Sequence, residues 1–194
     1  MSDNFNNLLY KKITELTAIA TGSIDKLFEI ADEHQYKKGE IILKEGQICK
    51  NVMFVERGYL RTYMIKEGLE INTEFTFEGN FTTNLKSLRT TTGSEMIIQA
   101  GEPTTLYLLD KDKLLDLYKL SAEIESFGRK LLEELLIAKE EQTNLFKFSS
   151  AAERYHYVQR HHPEMLQRIS LSQLSSYLGV ARETLSRIRN KASK

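Results

Sequence analysis

The sequence predicts an α+β chain: an N-terminal antiparallel β-roll with leading helices, one long helix, and a C-terminal helix-turn-helix domain lacking a full wing. Three observations carry that prediction. Between Tyr36 and Asp110, short β-type runs alternate with glycines at roughly even spacing. From about Ala122 to Phe146, apolar residues recur four and three apart, the rhythm of a helix with a packing stripe. Near the C-terminus, Leu171, Leu174 and Leu178 share one helical face, Gly179 follows, and Val180, Leu185 and Ile188 form a second apolar set.

The N-terminal segment Leu8 to Glu33 reads as helical, in two pieces interrupted near Thr21-Gly22-Ser23. Ser23 is the expected cap of the second piece, with Leu27, Ile30 and Ala31 as its apolar face. The β-type runs are Ile41–Leu43, Val52–Val55, Tyr59–Ile65, Ile71–Phe77, Glu95–Gln99 and Thr105–Leu109. Gly39, Gly46, Gly58, Gly68, Gly79, Gly93 and Gly101 punctuate them, as turns of a compact roll or barrel would. Phe75, Phe77 and Phe81 are expected in the roll's core. The long helix carries two stripes, Leu131, Leu135, Ala138, Gln142 and Leu145 beside Leu132, Leu136, Thr143 and Phe146. Two stripes mean two partners: the chain's own roll and the same helix of a second subunit. The first stripe is assigned to the dimer seam. Ser149-Ser150 marks a hinge, and Pro163 ends or interrupts the helix that follows. The expected domains are a sensor roll over 1–121, a dimerisation helix over 122–148 and a DNA-binding domain over 149–194.

Composition bounds the function. The 194 residues suffice for one large domain or two small ones, and 41% hydrophobic content supports a core. No stretch approaches the roughly 20 apolar residues of a membrane span, so no membrane partner is expected. The first residues lack a basic, then apolar, export signal, and the single cysteine, Cys49, cannot form an internal disulfide. Both point to the cytoplasm. The chain has 27 basic and 27 acidic residues, yet nine Lys/Arg face three Glu from Lys147 to Lys194. A basic module on an acidic body suits nucleic acid, which responds to local phosphate contacts rather than to net charge.

The C-terminal spacing is that of a helix-turn-helix, whose second helix enters the DNA major groove. Gly179 supplies the turn, and Ser175 is small where crossing helices approach most closely. With the apolar positions assigned to packing, Arg182, Glu183, Ser186, Arg187 and Arg189 remain on the open face. Arg can donate two hydrogen bonds to guanine, and Glu can accept from the cytosine amino group. Ala181 takes the N-cap position, where Ser or Thr would stabilise the helix by about 1 kcal/mol.

The order of helix, glycine-punctuated roll, long helix and helix-turn-helix resembles the cyclic-AMP receptor protein superfamily of bacterial transcription regulators, which includes the fumarate–nitrate regulators. Two stretches carry the resemblance: Lys38 to Gly46, reading KGEIILKEG, and Gly179 to Ile188, reading GVARETLSRI. It implies a cyclic-nucleotide-binding-like sensor and a homodimer on double-stranded DNA. It also implies RNA polymerase and a small-molecule effector as further partners. Carried across, Arg182, Glu183 and Arg187 would read bases, and Ser170, Ser172, Gln173, Thr184 and Lys191 are weaker candidates for contact with the DNA backbone. From the open face of the same helix, Ser186 joins the base-reading candidates and Arg189 the backbone ones.

Three departures limit the inheritance. Family members that bind cyclic AMP hold it with a Gly-Glu pair and an Arg-Ser pair; here Gly79-Asn80 and Ser94-Glu95 fall at the corresponding places. Losing the Arg removes a bidentate phosphate partner, and Glu95 adds a repelling carboxylate. The usual cyclic-AMP mode is therefore not expected. One cysteine cannot hold the iron–sulfur cluster of the oxygen-sensing branch. After the reader only Asn190 to Lys194 follow, too short for a wing. That shortness motivates an alternative, a ligand-binding or protein-interaction module with a vestigial helix-turn-helix. No catalytic motif supports an enzyme. His156, His161 and His162 lack further metal ligands nearby, and Cys49 has only Lys50 as an activating cation.

Overall fold

The computed structural model describes residues 7–192. Its elements run α1 (Leu8–Leu16), α2 (Thr21–Glu29), β1 (Ala31–Tyr36), β2 (Ile41–Leu43), β3 (Asn51–Arg57), β4 (Tyr59–Lys66), β5 (Leu69–Phe77), β6 (Phe81–Thr82) and α3 (Leu85–Thr90). They continue with β7 (Ile97–Ala100), β8 (Thr104–Asp110), α4 (Lys111–Leu120), α5 (Ala122–Phe148), α6 (Ala151–His161), α7 (Pro163–Arg168), α8 (Leu171–Leu178) and α9 (Arg182–Ala192). The strands make two four-stranded sheets, ordered β1-β8-β3-β6 and β2-β7-β4-β5. β8 sits between β1 and β3, antiparallel to both, with Met53 opposite Leu108 and Glu33 opposite Tyr107.

Glycine placement explains the turns. Gly39, Gly46, Gly58, Gly68 and Gly79 all have positive φ, a region that side chains with a Cβ rarely adopt. Gly68 follows Glu67, itself at φ 54°, so β4 and β5 join through a turn with two left-handed residues. Gly101 serves differently: a Cβ there would lie 2.0 Å from the Tyr59 ring.

The chain forms two compact units. One holds 1–62 and 75–136; the other holds 63–74 and 137–194. The boundaries cut both α5 and the β4–β5 hairpin, whereas the sequence partition placed all of 63–74 with the roll and kept 122–148 whole.

In the first unit, α1 and α2 lay Leu9, Ile13, Ile24 and Leu27 into a core with Phe54, Val55, Leu60, Leu106 and Leu109. The first half of α5 adds Ile124, Phe127 and Leu131. Phe81 packs between Phe54 and Phe127, with ring centroids 4.8 and 6.0 Å away. The three phenylalanines expected in the core divide: Phe81 joins this cluster, while Phe77 and Phe75 pack on Tyr59, at 5.3 and 6.3 Å.

In the second unit, α6 to α9 bury Tyr155, Val158, Met165, Ile169, Leu174, Leu178 and Leu185. Pro163 opens α7 at its first position, where a missing N–H is harmless.

Several sequence expectations are corrected. The N-terminal helices break at Thr17–Ala20 rather than at Thr21–Ser23, and the second ends at Glu29. Ser23 lies inside α2 and donates to Glu123 (2.7 Å), while Ala20 holds the N-cap without a side-chain bond. Ala31 to Glu33 belong to β1, an edge strand whose mostly exposed, polar ADEHQY run has no β signature. β6, α3 and α4 were also unanticipated.

Candidate nucleic-acid interface

The candidate reader, α8 with α9, is built from its caps inward. Ser170 caps α8 by accepting the Gln173 N–H at 3.3 Å. At the other end Gly179, at φ 64°, donates to Ser175 and Ser176, and the Val180 N–H closes onto the Ser175 carbonyl at 3.0 Å. This left-handed closure turns the chain sharply into α9. Ser175 is buried, its hydroxyl turned back to the Ser172 carbonyl (2.9 Å), which leaves room for a crossing helix. Leu174, Leu178 and Leu185 are the anchors; the last two are fully buried.

α9 starts at Arg182. The Ala181 carbonyl accepts the first helical bond, from Leu185 N–H at 3.0 Å, and the alanine side chain offers no cap. Arg182, Glu183, Arg187 and Arg189 are exposed, while Thr184, Ser186 and Ile188 are half-buried. Arg187 folds its Nε–H toward the Glu183 carbonyl (3.4 Å), so base-reading candidates share one face a single turn apart. Among the backbone candidates, Ser170, Ser172, Arg189 and Lys191 are exposed and Gln173 and Thr184 half-buried. The arrangement presents donors and one acceptor on a rigid helix, as major-groove reading requires.

The reader's support was not legible beforehand. Ser176 accepts the Asn72 N–H (3.0 Å) and donates to the Glu70 carbonyl (2.9 Å) on the tip of the β4–β5 hairpin. Gln142 on α5 donates to the Thr73 carbonyl (2.8 Å) and to the Tyr177 hydroxyl (3.3 Å), and Lys139 pairs with Glu74. Burial raises the Tyr177 pKa, partly offset by the Gln142 hydrogen bond. Phe146 meets Tyr177 edge-on, with Arg154 stacked on its ring at 5.4 Å. Between α5 and α6, Ser150 and Glu153 form a reciprocal capping box, and Arg154 donates to the Ser149 carbonyl (3.1 Å). The Ser149-Ser150 break is thus a capped corner.

On α5, Leu131 is 4% exposed within its own chain's core, and Leu135 packs against that core. A buried leucine cannot meet a second subunit, so this corrects the seam assignment of Leu131. Gln142 is committed to the hairpin contact, Leu145 is half-buried and Ala138 exposed. Among the described side chains of α5, the large apolar ones left open are Leu132, Leu136 and Ile137, at 49, 70 and 57% exposure.

The four ligand-pocket candidates each have a defined local setting in the roll. Gly79 forms a turn, and the exposed Asn80 bonds to the Phe77 and Glu78 carbonyls. Ser94 is buried; its hydroxyl accepts from Asn84 (2.7 Å) and Met96 N–H (3.0 Å) and faces the Met96 carbonyl at 2.7 Å. Glu95 is exposed beside Lys86, whose ammonium holds its carboxyl below the usual range. Asn84 caps α3 by accepting the Ser87 N–H. The serine hydroxyl is already bonded within the roll, a carboxylate follows it, and Gly93 precedes it. Cys49 is buried beside the Asn51 carbonyl and the Thr83 hydroxyl. His161 stacks on Tyr157 at 4.5 Å, His156 meets Gln159, and His162 faces Glu164. Among the described residues no His/Cys/Asp/Glu group could hold a metal, and no helix is long and apolar enough to cross a membrane.

Residues 33–121 match the cyclic nucleotide-binding domain model. FixK2 from Bradyrhizobium japonicum superposes with a TM-score of 0.67 at 23% identity, covering 84% of each chain. A putative crp/fnr-family transcriptional regulator from Eubacterium rectale gives 0.68 at 19%, over 89% of this chain and 83% of that one. The catabolite activator protein of Thermus thermophilus gives 0.57 at 20%, over 94% and 86%. No curated protein sequence matches the chain. Over residues 33–121 the chain is similar to the cyclic nucleotide-binding domain, and the whole chain has the fold of solved CRP/FNR-type transcription regulators.

Proposed function

We propose that the chain is a sequence-specific, dimeric DNA-binding transcription regulator. Its roll responds to an effector other than cyclic AMP bound in the usual mode. The observation that carries this reading is α9: one side is anchored by the fully buried Leu185, and the other displays Arg182, Glu183 and Arg187 to solvent. A surface helix that only needed solubility would not require a left-handed glycine cap, a buried small serine and a basic face together.

Dimerisation is supported by Leu132, Leu136 and Ile137, an exposed apolar strip that a second copy of α5 would cover. A two-fold axis there would present two readers to a pseudo-palindromic site. Both engage when their spacing matches one turn of DNA, about 34 Å. An effector that favours that spacing shifts the population toward it. In this assignment 1–121 senses, 122–148 pairs and 149–194 reads.

Selection of bound duplexes from a random library, with purified protein at moderate salt, tests the reading. A two-fold-related consensus supports it. Absence of enrichment, both without ligand and with cell metabolite extract, overturns it.

A further inference from the structure

We propose that the tip of the β4–β5 hairpin and Ser176 of α8 form a reversible clasp that fixes the reader, and that the docked state carries a built-in penalty at Asn72 that makes it releasable. The inference rests on the reading of α9 as a DNA-binding helix.

The clasp follows from strand chemistry. β5 is an edge strand of its sheet. Glu70 and Asn72 are two residues apart, so their backbone groups face the same side. The outer side of an edge strand is open to a partner outside the sheet. The Ser176 hydroxyl meets that side as a neighbouring strand would, accepting from Asn72 N–H and donating to the Glu70 carbonyl. Of the side-chain functions at this position, a hydroxyl both donates and accepts through one atom, which a single short reach demands. Gln142 grips the next residue, Thr73, and ties it to Tyr177 on the same helix as Ser176.

Two features distinguish this from ordinary packing. The joint is polar, so its bonds can exchange for water at small net cost. And the Asn72 side chain is 4% exposed while its carbonyl oxygen has no hydrogen-bond partner among the described residues. A buried acceptor without a donor opposes the docked state, and undocking would return it to water. The clasp and the penalty act in opposite directions on one hairpin. Arg182, Glu183 and Arg187 remain exposed with the hairpin docked, so the clasp orients the reader rather than covering it. The far ends of the two hairpin strands, Tyr59 of β4 and Phe77 of β5, belong to the roll, which gives the clasp a covalent route to the sensor.

Amide hydrogen exchange on the full chain, together with affinity for a selected duplex, tests the proposal with three variants. Ser176→Ala should speed exchange of residues 63–74 and of α8 by about three- to tenfold, the effect of a typical lost hydrogen bond. It should weaken duplex binding, because a loosened reader must be ordered on binding. Ser176→Thr, which keeps the hydroxyl, should restore protection. Asn72→Leu removes the unpaired acceptor at similar size, and it should slow exchange below wild type and strengthen binding. The proposal is overturned if Ser176→Ala leaves exchange unchanged, if Asn72→Leu loosens the hairpin as Ser176→Ala does, or if exchange changes while duplex affinity does not. Should the wild-type chain select no duplex at all, the DNA reading fails, and the exchange rates still decide whether the clasp exists.

Discussion

The two halves of α5 are held by different forces. From Ala122 to Leu136 the helix places Ile124 and Phe127, both fully buried, and Leu131 into an apolar core. From Ile137 to Lys147 no side chain is buried, and the helix is secured by Gln142, by Lys139 with Glu74, and by Phe146 against Tyr177. Apolar packing is dense and tolerates little rearrangement, whereas hydrogen bonds at a polar joint can be remade in another geometry. One continuous helix therefore has an end that is fixed to its unit and an end whose attachments can be renegotiated.

The largest expected effect tests the fixed end. Phe127→Ala should destabilise the chain by about 3–5 kcal/mol, read as a fall in the urea midpoint. Phe146→Ala should cost far less, because it loses a partly exposed ring pair worth about 1 kcal/mol. Equal losses would erase the distinction. Next comes the open strip. Leu136→Glu should leave the urea midpoint nearly unchanged but weaken self-association by about 2–3 kcal/mol, seen by sedimentation. A drop in monomer stability instead would mean that the strip is covered within the chain. On the reader, Arg187→Ala should cost about 1–3 kcal/mol at one base pair per half-site, measured by competition between point-substituted duplexes. A uniform loss on every duplex would reassign Arg187 to phosphate.

Two smaller effects refine the comparison. Tyr118 packs its hydroxyl against Gly128 on the fixed end of α5, and burial pushes its pKa up to about 12 from 10.0. The folded state thus favours the protonated phenol. That contribution is fully present below pH 10 and is lost as pH rises toward 12. Thermal melts should show alkaline destabilisation in that window, and Tyr118→Phe should reduce it. Finally, Ala181→Ser should stabilise α9 by about 1 kcal/mol, visible as slower amide exchange in its first turn.

The reader was legible because each of its signals is local. Gly179 needs a left-handed turn, Ser175 needs closeness, and Leu174, Leu178 and Leu185 repeat at helical spacing within thirteen residues of Arg187. The roll was legible through its glycines, five of which take positive φ. β1 was not, because a polar edge strand is defined by its pairing with β8 rather than by alternation. Two stripes on α5 were visible, yet only burial could tell which one the roll covers. Ser176 was invisible as a clasp, since its partners lie about a hundred residues earlier and are backbone groups, which any sequence possesses. α3 does carry a local signal, Asn84 at the N-cap accepting the Ser87 N–H.

The serine cap on β5 also sets an order of events during synthesis. Asn72 and Ser176 are separated by 104 positions, so a ribosome adding about 5–20 residues per second leaves that edge bare for about 5–20 s. A naked strand edge is a template for pairing with neighbouring nascent chains. Lys66, Glu67 and Glu70, all exposed on the hairpin, place like and unlike charges along it during that interval. Their repulsion and hydration guard the edge until the last helices emerge, so charge-removing changes at the hairpin should show first as lower soluble yield rather than as altered regulation.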